Sequence, residues 1–142
     1  MNYNIERFLA AQSRDYDRAL SEIRRGRKTS HWIWYIFPQL RGLGNSEMSA
    51  VYGIDGAGEA RQYMEHPVLR ARLIEIAEAL LALETNDPEA VMSWIDAKKL
   101  KSCMTLFEFA APECDVFGKV LDKYYKGRRD ERTLEMLKAC RE

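Results

Sequence analysis

The chain has 142 residues, of which 46% are hydrophobic, 31% charged, and only 8 are Gly and 4 Pro, a composition that excludes a disordered or low-complexity protein. This length sets the scale of one domain that buries roughly two-thirds of its unfolded surface. Lys plus Arg equal Asp plus Glu at 22 each, and zero net charge removes the attraction on which non-specific nucleic-acid binding depends.

Met1 to Phe8 carry charges and no apolar run, so no signal peptide is read, and no stretch approaches the roughly 20 apolar residues of a membrane span. Ile5, Phe8 and Leu9, then Tyr16, Ala19, Leu20 and Ile23, recur at helical spacing and predict a helical pair, with Gly26 as its left-handed C-cap. The segment Ser30 to Gly44 comes next and is the strongest site candidate. Trp32, Trp34, Tyr35 and Phe37 follow neither a two-residue nor a 3.6-residue period, so one packing face cannot satisfy them all. They plug a core, or some of them line a groove. Lys28, Ser30, His31, Gln39 and Arg41 bracket these aromatics, and an apolar wall with a few convergent polar groups is how small-ligand pockets are built. The run also has strand-like composition, so a small β element over 32–37 is an alternative to helix.

Asn45 or Ser46 caps a short turn reaching Tyr52, and Gly53, Gly56 and Gly58 mark a loop. His66 before Pro67 reads as a helix start with proline at the first helical position, followed by Leu69, Leu73, Ile76, Leu80 and Leu83 at steps of three or four. Asp87 before Pro88 repeats that signature. Asp96 caps a predicted helix over 97–109, and Asp115 and Asp130 start two more, the first closed by Gly127. The expectation is a mainly α fold, one compact domain over residues 1–142 made of about seven or eight short helices.

Familiar catalytic motifs are absent. His31 and His66 have no ligand-spaced Cys or carboxylate, the glycines of Gly42-Leu43-Gly44 precede no Walker lysine, and there is no Gly-x-Ser-x-Gly elbow. No metal or cofactor is read. Three cysteines, Cys103, Cys114 and Cys140, form no CxxC pair and fit a reducing, cytoplasmic home. Lys98, Lys99 and Lys101 stand at the start of the predicted 97–109 helix, where cations oppose the helix dipole unless an anion arrives. The run is either a solvated turn or, with the helix-start amides and the hydroxyls of Ser102 and Thr105, an anion site.

The blocks Gly26-Arg-Lys-Thr-Ser-His-Trp-Ile-Trp-Tyr-Ile-Phe-Pro-Gln39, His66-Pro-Val-Leu69 and Lys99-Leu-Lys-Ser-Cys-Met-Thr-Leu-Phe107 resemble the bacterial family catalogued as domain of unknown function 1810. The resemblance spans nearly the whole chain. Members are sometimes labelled "calpastatin", yet nothing here resembles the repetitive disordered segments of true calpastatin. The resemblance implies a mainly helical fold, remotely similar to the YbiA-like fold whose NADAR members handle ADP-ribose and related ribosyl nucleotides. It further implies N-glycosidic or ADP-ribosyl chemistry, in which a lysine and a carboxylate act on the ribose carbon bonded to a base nitrogen.

Lys99 and Lys28 match positions of that family pattern, Lys99 first because of its cationic neighbours; Glu108 and Asp96 are the nearby carboxylates. His31 is a proton shuttle, a ribose contact or a structural histidine. Cys103 stands where the family more often shows serine. A small anionic, nucleotide-like ligand would then be held by Trp32, Trp34, Phe37, Gln39, Arg41, Ser102 and Thr105. Three function classes follow: a ribosyl-nucleotide hydrolase, a non-catalytic nucleotide-binding module, and an interaction domain presenting its aromatics on an exposed patch.

Overall fold

Apolar spacing of three or four, uninterrupted by a breaker, becomes helix throughout the computed structural model of the protein, which describes residues 3–139. Among the described residues there are nine helices and no strand: α1 (Glu6–Arg24), α2 (Ile33–Ile36), α3 (Glu47–Tyr52), α4 (Ala57–Glu65), α5 (Pro67–Ala82), α6 (Pro88–Met92), α7 (Trp94–Ala110), α8 (Val116–Tyr125) and α9 (Glu131–Ala139). Met1 and Cys140 lie outside the described residues.

The predicted opening pair is one helix of 19 residues, α1, because nothing between Leu9 and Tyr16 breaks it. It ends as expected. Gly26 has φ 89°, its N–H reaches the Ile23 carbonyl, and the Arg27 N–H reaches the Glu22 carbonyl, the paired bonds of a Schellman cap. The 32–37 run is helical over Ile33–Ile36, and the only β feature among the described residues is an isolated parallel bridge between Leu40 and Ile54. The loop expected over 53–58 is shorter. Gly56, with φ 151°, starts α4, and the hydroxyl of Tyr3 covers Gly58 so closely that a Cβ there would lie 2.7 Å from it.

His66 caps α5 through Nδ1, which accepts from the Val68 N–H at 3.2 Å, and Asp87 caps α6 by accepting from Glu89 at 3.0 Å. Asp130 caps α9. Asp96 does not cap α7. Ser93 closes α6 and opens α7 at once, with φ 83° and ψ 163°, and its hydroxyl accepts from the Asp96 N–H at 3.4 Å. Helix α7 therefore begins three residues earlier than predicted and becomes the central element, packed against α4, α6, α8 and α9. Helix α5 lies between α1 and α8, with Leu69, Leu73, Ile76 and Leu80 at 0–1% exposure.

Candidate functional site

The turn after α1 is built on a buried carboxylate. Glu22 accepts from the Thr29 N–H at 2.8 Å, the Ser30 N–H at 3.0 Å, the Ser30 hydroxyl at 2.6 Å and the Trp32 indole N–H at 2.9 Å. Burial by itself would raise its pKa, but these bonds to the charged form outweigh it and bring the carboxyl from 4.5 down to about 2. Trp32 is thereby fixed in the core at 0% exposure, and the aromatics after it are set in space.

A second clamp positions the opposite wall. Arg7 donates to the Val51 and Gly53 carbonyls at 2.8 and 2.9 Å and pairs with buried Glu59 at 2.7 Å. The Leu40–Ile54 bridge ties the residue after Gly53 to the 39–41 segment, and a Cβ added at Gly53 would lie 2.6 Å from the Arg41 Cα. Only glycine fits that crossing.

Between these walls runs a cleft of about 240 Å³, counting the part open to solvent. From the aromatic segment come Ile33, Trp34, Phe37 and Gln39; from α3 and its end come Ser49, Tyr52 and Gly53; from α7 comes Lys99. The Lys99 ammonium stands 5.5 Å from the centroid of the Trp34 ring. About 10 Å³ of the cleft admits the centre of a water molecule, room for roughly one. The buried Trp34 indole N–H has no hydrogen-bond partner, which sets it apart from the other buried side-chain nitrogens and oxygens among the described residues.

Charge at the rim is organised around Asp96. Its Oδ2 is 2.9 Å from the Lys28 ammonium and its Oδ1 is 3.8 Å from that of Lys99. Two ammoniums and one carboxylate leave one net positive charge beside Trp34. This cation enters the cleft from the helix flank, not from the amide end of a helix. Lys98, Lys99 and Lys101 fall beyond the first turn of α7, where the dipole effect has faded, so the expected clash with the helix start does not arise.

The structure thus brings together Trp34, Phe37, Gln39 and Lys99 from the residues singled out in the sequence. The others are engaged elsewhere. Lys28 does not line the cleft; its largely covered side chain donates to the Ser30 carbonyl at 2.6 Å and faces the Trp32 ring at 5.0 Å. His31 is exposed. Arg41 pairs with Asp55 at 3.1 Å in a separate open depression. The Ser102 hydroxyl has two acceptors for its one proton, the Lys98 carbonyl and Asp130 Oδ2, each at 3.2 Å, and the Thr105 hydroxyl donates to the Lys101 carbonyl and accepts from the Asp130 N–H, so both are engaged between α7 and the start of α9 and are not free for an anion. Glu108 is held by Arg129, with Nε at 2.9 Å. Nine residues of helix place it about 13 Å along α7 from Lys99. Asp96, not Glu108, is the carboxylate next to the lysine.

Cys103 is fully buried and burial pushes its thiol well up, so it offers no thiolate. Sequence reasoning missed Ser49, Tyr52 and Gly53 as cleft walls; the Ser46 cap that places them was the available signal. Glu22 gave no signal, because a lone glutamate on a helix looks solvated.

No curated protein matches this chain. A search of solved structures finds the crystal structure of the conserved hypothetical protein Rv1873 from Mycobacterium tuberculosis at 39% identity, covering 96% of this chain and 97% of that one with a TM-score of 0.94. The model of a family described as "Protein of unknown function (DUF1810)" matches residues 2–137, nearly the whole length, and the chain belongs to that family.

Proposed function

We propose that the cleft between the aromatic segment and α7 binds a small anionic ligand bearing a ring, of the ribosyl-nucleotide class. The ring lies on Trp34 and the anionic group on Lys99. The carrying observation is the Lys99 ammonium 5.5 Å from the Trp34 ring at the rim of a cleft that also contains Gln39. Stacking and charge recognition, each incomplete alone, converge there. The enclosed part of the cleft has room for about one water-sized group, such as a single ligand oxygen, with the rest of the ligand across the half-buried Trp34 face. Trp32 and Phe37, at 0 and 1% exposure, speak against an interaction domain that presents these aromatics on its surface.

Asp96 beside Lys99 favours a second reading, the hydrolysis of an N-glycosidic bond, which is also what a remote YbiA-like and NADAR-like kinship and an ADP-ribose substrate would supply. In that reading Asp96 takes a proton from a water that adds to the ribose carbon, the carbon–nitrogen bond breaks, and its electron pair leaves with the base. Binding stands first because both oxygens of Asp96 already face ammoniums, those of Lys28 and Lys99, and the hydrolysis would need that carboxylate to take a proton from water. A cytoplasmic setting, with reduced cysteines and access to nucleotides, belongs to the same proposal.

The test is a thermal-shift and calorimetric screen of AMP and ADP-ribose, in which a ligand at a hundred times its Kd adds about 2.7 kcal/mol of stability. Trp34→Ala should weaken binding by about 1 to 3 kcal/mol, the scale of base–aromatic stacking. Lys99→Ala should weaken binding too, and chromatography of the ligand should show release of free base only if turnover occurs. Unchanged binding in both variants removes the site.

A further inference from the structure

Lys28 does not line the cleft, yet its side chain is more deeply buried than that of Lys99, 7% against 23% exposed. An ammonium withdrawn from water needs compensation, and Lys28 receives it from the Ser30 carbonyl at 2.6 Å, the Trp32 face at 5.0 Å and Asp96 Oδ2 at 2.9 Å. The other oxygen of the same carboxylate faces Lys99 at the longer distance of 3.8 Å. One carboxylate therefore serves two ammoniums, tightly on the buried side and loosely on the cleft side.

The corner that aims Asp96 is itself unusual. Ser93, three residues before it, holds φ 83° and ψ 163°, a region that side chains other than glycine rarely adopt. Its hydroxyl accepts from the Asp96 N–H. The α6–α7 junction thus places the carboxylate, and Lys28 pairs with it.

We infer that Lys28 is a positioning residue whose charge neutralises Asp96, so that Lys99 can leave the carboxylate for an anion in the cleft without leaving a partly buried negative charge unpaired. The inference rests on the reading of the cleft as an anion site. Removing one partner of a buried ion pair leaves the other uncompensated, which is far more unfavourable than loosening a pair that has a second cation. Without Lys28, Lys99 becomes the sole cation for Asp96, and an incoming anion must compete with that carboxylate. With both Lys28 and Asp96 neutral, Lys99 is free again.

This predicts a recovery that a merely structural role for Lys28 would not produce. Lys99 acetylation by acetic anhydride, measured by mass spectrometry on the full chain without ligand and relative to exposed Lys119, reads the freedom of its amine. Lys28→Met and Lys28→Gln should each slow it several-fold; the second variant keeps a donor for the Ser30 carbonyl and guards against loss of folding, which far-ultraviolet circular dichroism checks. Asp96→Asn should speed it, and Lys28→Met combined with Asp96→Asn should restore it to the wild-type rate or above. Wild-type labelling in both Lys28 variants, or a double variant as slow as the single one, overturns the proposal. Inorganic phosphate is added in a separate arm, where it should protect Lys99 in the wild type and less so in Lys28→Met. Absence of protection in the wild type counts against the anion site and leaves the ligand-free comparison intact.

Discussion

Glu22 is the residue on which the aromatic segment hangs, and its chemistry makes a pH prediction. Its carboxyl falls from 4.5 to about 2 on folding, because the bonds from Thr29, Ser30 and Trp32 outweigh the desolvation that opposes them. A group whose pKa is lowered by folding contributes stability that is present above its unfolded value and lost as pH falls toward the folded one. Glu22→Gln keeps an acceptor but no charge, and charge-assisted bonds are about twice as strong as neutral ones. Urea titrations should therefore find the variant less stable than wild type at pH 7, with the gap narrowing below about pH 4.5 and closing near pH 2. A gap of constant size across that range would mean that Glu22 is not the titrating group. The pattern was invisible in the sequence, where Glu22 follows Ser21 on a helix rich in charges and nothing marks it as inward.

At the scale of elements, periodicity and caps carried most of the reading. His66 and Pro67, Asp87 and Pro88, and Asp130 opened helices as their chemistry requires, since a side-chain acceptor and a proline both suit the unpaired amides of a first turn. The apolar stripe of α5 faces α1, α4 and α8, so Leu73→Ala or Ile76→Ala, at 1 and 0% exposure, should lose about 2 to 5 kcal/mol in chemical denaturation. A loss under about half a kcal/mol, the scale of a surface substitution, would place the stripe outside the core. The α7 boundary was misread because Asp96 has a better local signature than Ser93. Tertiary packing holds Ser93 in a backbone conformation its propensity opposes, and this moved the lysine run past the first turn. Ile95 and Trp94, at 51 and 58% exposure, were drawn into that first turn with it.

For the molecule as a whole, α7 shares contacts with α4, α6, α8 and α9 while α5 joins α1, α4 and α8, so no helix group is packed independently of the rest. Unfolding should be one cooperative transition, with helical dichroism and tryptophan fluorescence changing together as denaturant rises. Fluorescence that moved first would mark the segment around Trp32 and Trp34 as a separate unit. Among the described residues no helix is long and apolar enough to cross a membrane.

The sequence by itself determined that the chain is mainly helical and where α5, α6, α8 and α9 begin, because periodicity, caps and composition act through neighbours within a few positions. Only the tertiary structure decided which polar group stands beside which. Lys99 is 65 residues from Trp34 and 71 from Lys28 in the chain, and no local rule reports that α7 lays one carboxylate between two lysines. The same holds for Glu108, which nearness in the sequence offered as a partner for Lys99 and which helical rise carries to Arg129 instead. Side-chain pairing across the core depends on where helices cross, and that is set by the summed packing of all of them.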